Sequence, residues 1–74
     1  EHDRWAAGPT SKTGLAISGG RLVWWDLASG RPRWTVTTSE LLGMGDQPVE
    51  WVQVLATRVI VGTGGQLPFA IDLD

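Results

Sequence analysis

The chain has 74 residues, with no Cys, one His, five Trp, ten Gly, four Pro and a net charge of −2. A chain of this length forms one small domain that buries only about 60% of its unfolded surface; the missing Cys excludes disulfides and thiolate sites, and a lone His excludes a multi-His metal site. The near-neutral charge gives no electrostatic case for nucleic acid or an anionic membrane, and no apolar run approaches the ~20 residues of a spanning helix.

The first segment, Glu1-His2-Asp3-Arg4, is polar and shows no signal peptide. His2 has no partner in the pattern and receives no role. Trp5-Ala6-Ala7 reads as a short strand closed by the breaker Gly8-Pro9, and Thr10 to Thr13 reads as a loop. Leu15 to Ser18 is an apolar strand, and Gly19-Gly20 is a hairpin signal before a strand at Arg21 to Leu27. That third strand carries Leu22 and Trp24 on one face and Val23, Trp25 and Leu27 on the other, so it is expected to be covered on both sides. After a turn at Ala28 to Gly30, Arg33 to Thr38 alternates as an outer strand, with Trp34 and Val36 on its apolar face. Ser39 to Pro48 reads as a long connection in which Leu41, Leu42 and Met44 plug a core edge, because the glycines weaken any helix. Strands follow at Trp51 to Ala56, Val59 to Val61 and Gln66 to Asp72, with Pro68 inside the last marking an edge or a bulge.

The chain also repeats itself. Trp5 falls opposite Trp51 and Asp26 opposite Asp72 at an offset of 46, while Ser18 to Leu22 falls opposite Thr63 to Leu67 at an offset of 45. One loop residue reconciles the two. The unit is about 46 residues with four strands, and the second copy holds three of them. A repeated four-stranded antiparallel unit of this length is the pattern of a β-propeller blade. The expected fold is therefore all-β, with about one and two-thirds blades: residues 1–46 as a first blade-like repeat and 47–74 as an incomplete second.

Asp26, Ser29, Gly30 and Trp34 stand at the spacing of Ala-x-Asp-x-x-Thr-Gly-x-x-x-Trp, with Ser29 in place of Thr and Trp24 in place of the small Ala. Ala70 and Asp72 begin a second copy that stops at Asp74. This resembles the tryptophan-docking motif of quinoprotein-type (PQQ-like) propeller repeats. The resemblance implies that Asp26 holds the turn, that Gly30 keeps it flat enough to accept a ring, and that the Trp34 ring lies between blades, against the turn glycine of a neighbour. It further implies a non-catalytic scaffold or sensor for protein–protein binding, without a cofactor of its own. The alternative it implies is a segment of a quinone-dependent (PQQ) alcohol or sugar dehydrogenase. Expected partners are neighbouring blades, other copies of the chain, or another protein, and the resemblance tilts localisation toward the periplasm or the cell exterior. The start without Met and the end inside a motif point to a segment of a longer protein.

Other readings of the same residues are blander. Asp26 and Asp72 as a catalytic carboxylate pair conflict with their equivalent places in two repeats. Gly62 to Gly65 lacks the Lys and following helix of a phosphate loop. Arg31 and Arg33 beside Trp34 fit a solvated strand face better than a nucleic-acid patch. Trp24 and Trp25 suit core packing better than a sugar cleft, whose glycan ligands would quench their fluorescence.

Overall fold

The computed structural model describes residues 4–42, 48–64 and 67–73. They form two antiparallel sheets. The first runs β1 (Arg4–Ala7), β2 (Thr13–Ser18), β3 (Arg21–Asp26) and β4 (Arg31–Thr37) in chain order. A short helix, α1 (Thr38–Leu42), follows, and then β5 (Val49–Val54), β6 (Arg58–Thr63) and β7 (Phe69–Asp72) form the second sheet, again in chain order.

Local chemistry sets the first sheet. Ser18 pairs with Arg21, so Gly19-Gly20 is the whole loop, and Gly19 takes a φ of 59°, a conformation that a side chain would penalise. Both loop carbonyls are used: Gly19 accepts from the Val49 N–H at 2.8 Å and Gly20 from the Thr38 N–H at 2.8 Å. The β3–β4 turn closes through the Gly30 N–H to the Asp26 carbonyl, with Gly30 at a φ of 72°. A register shift between Trp24 and Trp25 brings Pro32 opposite Trp25. There, on an outer strand, a missing N–H costs little.

Strand alternation then decides what is buried. From the first sheet Leu15, Ile17, Leu22 and Trp24 face Val49, Val59, Val61 and Leu73 of the second, and the eight form one core. Each such side chain contributes about 1.5–3 kcal/mol on burial. Trp34, Val36, Val52, Phe69 and Ile71 pack around them half-buried. The same alternation leaves Trp5, Ala16, Val23 and Trp25 on the far face of the first sheet, and Trp51, Ile60 and Ala70 on the far face of the second.

Several expectations are corrected. β3 is covered on one side only; Val23 and Trp25, on the other, are half-buried. β2 begins at Thr13, which the loop reading assigned to a connection, and β4 begins at Arg31 and includes Pro32. Pro68 precedes β7 rather than interrupting it. The connection after β4 does contain a helix. Thr37 and Glu40 bond reciprocally, the Glu40 N–H to Thr37 Oγ1 at 3.3 Å and the Thr37 N–H to Glu40 Oε2 at 3.3 Å. This capping box satisfies two otherwise free donors and outweighs the downstream glycines over one turn. Leu41 is 42% exposed and plugs nothing; the side chain of Leu42 and all of Met44 lie outside the described residues.

Candidate functional site at the sheet interface

The motif residues divide between the turn after β3 and the seam between the sheets. Asp26 Oδ1 accepts from the Ala28 N–H at 3.0 Å, an Asx-type turn in which the side chain does a backbone's work. Ser29 Oγ reaches the Asp26 carbonyl only at 3.5 Å. Gly30 supplies the left-handed residue that ends the turn. The chain then re-enters the sheet so that Trp34 sits opposite Trp24 in register.

Trp34 lies at the seam. Its ring stacks on that of Trp24, with centroids 6.4 Å apart and planes at 23°. Its Nε1–H donates to the Leu73 carbonyl at 3.3 Å, thirty-nine residues away and just past β7 of the second sheet. Leu73 immediately follows Asp72, so the indole reaches the end of β7. Asp72 itself faces outward and pairs with Arg58 at 3.0 Å, both side chains well exposed. Ala70 is exposed on the same outer face. Asp26 and Asp72 are therefore held by separate local partners, Ala28 in the turn after β3 and Arg58 on β6.

Two residues of the seam escaped the sequence reading. The Arg4 guanidinium crosses from β1 to the carbonyls of Val49 and Glu50, the latter at 2.8 Å, clipping the first strand to the fifth. An Arg entering an apolar strand was the available signal. The second is the Leu73 carbonyl, a backbone group that no side-chain motif advertises.

The remaining candidates resolve as follows. Trp24 is 2% exposed and belongs to the core, whereas Trp25 is half-buried on the opposite face. Trp5 and Trp51 are exposed, yet each packs close against a glycine of the neighbouring strand. A Cβ at Gly14 would come within 1.9 Å of Trp5, and one at Gly62 within 2.1 Å of Trp51. Arg31 and Arg33 are exposed on β4. Gly62 lies within β6 and Gly64 begins the turn; Gly65 and His2 lie outside the described residues. An open cleft of about 150 Å³ lies at one end of the seam, between Pro9, Thr13, Trp24, Arg33 and Leu73. Among the described residues no three His, Cys, Asp or Glu side chains gather as metal ligands.

Searches with family models, curated proteins and solved structures match nothing to this chain.

The two sheets can instead be compared with each other. The Leu27 N–H donates to the Lys12 carbonyl at 2.8 Å, and the Leu73 N–H to the Thr57 carbonyl at 2.9 Å. Thr13 pairs with Asp26 as Arg58 pairs with Asp72. These pairs equate β2 with β6 at an offset of 45 and β3 with β7 at 46, the two offsets read from the sequence. β1 and β5 correspond differently: Trp5 pairs with Ala16 but Trp51 with Gly62, so their offset by pairing is 47 and the two Trp are one residue out of register.

The register also inverts the faces. Leu15 and Trp24, buried in the first sheet, correspond to Ile60 and Ala70 on the outside of the second. Val61, Phe69 and Ile71, turned inward in the second, correspond to Ala16, Val23 and Trp25 on the outside of the first. The front of one sheet packs on the back of the next.

Proposed function

We propose that the two sheets are successive blades of a PQQ-like β-propeller, and that the protein works as a non-catalytic scaffold or sensor for protein–protein binding. The observation that carries the architecture is the Trp34 indole bonded to the Leu73 carbonyl beside Asp72. It reaches across a seam from Trp34 to the residue after Asp72, an inter-blade position like the one the resemblance gives this tryptophan, although its ring stacks on Trp24 rather than on a turn glycine of the neighbour. The front-to-back packing supports the same reading. A symmetric sandwich of two like faces would close on itself, whereas front-to-back contacts propagate around an axis.

The scaffold role follows from the resemblance together with what the motif residues do here. Asp26 and Gly30 shape a turn, and Trp34 joins sheets; each is used in holding structure. Titration with pyrroloquinoline quinone and calcium, followed by tryptophan fluorescence and by alcohol oxidation, tests this reading. No saturable quenching and no oxidation are expected. Saturable binding with turnover would replace the scaffold by the dehydrogenase.

A further inference from the structure

We infer that a second copy of this chain docks on the outer face of the first sheet through the outer face of its own second sheet, head to tail. The inference rests on the register equivalence of the two sheets and extends a contact the molecule already makes. Inside one chain, the second sheet presents Val61, Phe69 and Ile71 to the first. At the corresponding positions the first sheet presents Ala16, Val23 and Trp25 to solvent, half-buried and apolar. Inside one chain, the first sheet offers Leu15 and Trp24; the second sheet has Ile60 and Ala70 at those positions, also outward. The two open faces are thus the two halves of the internal interface, on opposite sides of one molecule.

The acceptor side of the seam is duplicated as well. Leu27 stands where Leu73 stands, with the same backbone bond to the preceding loop. The described part of the second sheet has three strands and no counterpart of β4, so it brings no indole to the Leu27 carbonyl. Through the described residues alone, the contact between copies has one hydrogen bond and one large ring fewer than the internal seam, and is expected to be reversible. Because front meets back, the association is heterologous: it grows into a ring or a fibre instead of stopping at a two-fold dimer.

Complementing variants test it. Val23→Lys places a charge on the outer face of the first sheet, and Ala70→Lys one on that of the second. The wild-type chain in sedimentation velocity is expected to exceed twice the single-chain mass as concentration rises. Each variant alone is expected to sediment as a single chain, and their mixture as a two-chain species, since each retains the face the other has lost. Circular dichroism checks that both are folded, and Ser18→Lys with Gln53→Lys, on the same two faces at exposed positions, serve if they are not. A wild-type chain that stays monomeric, a variant that self-associates as the wild type does, or a mixture that stays monomeric overturns the inference. Those results leave the scaffold reading standing, because that reading is decided by the quinone titration.

Discussion

Thr63 is the residue most at odds with its surroundings. Its side chain is buried in β6 beside Val61, and its Oγ1 has no hydrogen-bond partner among the described residues. A buried hydroxyl without a partner costs about 1–3 kcal/mol. Thr63→Val keeps the shape and removes that cost, so the melting temperature is expected to rise, by the equivalent of about 1 kcal/mol. A fall would show that the hydroxyl is satisfied. Trp34 is the opposite case, a polar atom with a distant partner. Trp34→Phe keeps most of the ring stack on Trp24 and deletes the bond to Leu73. A loss of about 1–2 kcal/mol in denaturant unfolding is expected, counting one bond and one stranded half-buried carbonyl. No loss would mean that the indole N–H prefers water.

At the scale of elements, α1 shows how a short signal defeats a compositional one. Thr37-Thr38-Ser39-Glu40 is a capping box, but Gly43 and Gly45 just beyond it argue against a helix. The box acts over one turn, and one turn is what forms. Thr37→Ala removes the cap and is expected to cost about 1 kcal/mol, with faster amide exchange confined to 38–42; exchange quickening throughout the first sheet would assign Thr37 a wider role. The strands were far more legible, because alternation and Gly-Gly punctuation are local and strong in Leu15 to Trp25. Which face of β3 would be covered was not legible. Both faces carry tryptophan and aliphatic side chains, and the choice depends on the second sheet, whose first strand begins only at Val49. The turn from Asp26 to Gly30 could be read from its residue types, while the acceptor of the Trp34 indole, a backbone carbonyl, could not. The Trp5–Trp51 equivalence failed by one residue because strand pairing, with a register shift between Val49 and Trp51, fixes the correspondence more tightly than identity does.

The molecule as a whole depends on a core that neither sheet owns. Leu15 and Leu22 from one sheet and Val59 and Val61 from the other have no measurable exposure, and all belong to one cluster. A single sheet has nothing else to bury these groups against, so the two are expected to unfold together. Leu15→Ala should cost about 2–5 kcal/mol and should accelerate amide exchange at Val59 and Val61 as much as at Ile17 and Leu22. Intact protection of the second sheet would show two independent units. Cross-links such as Arg4 to Val49 and Glu50, and Val49 to Gly19, point to one unit.

The stacked pair of Trp24 and Trp34 has an optical consequence. Two indoles with centroids 6.4 Å apart, inclined by 23°, couple their excited states and split them into an exciton doublet. The other three tryptophans have no stacked partner among the described residues, so the doublet in circular dichroism reports on this pair alone. Trp34 is held both by its place opposite Trp24 and by its bond to Leu73, so the signal reports the first sheet and the seam together. Its collapse in step with the backbone signal on heating is expected if the two sheets unfold as one unit, with no label added.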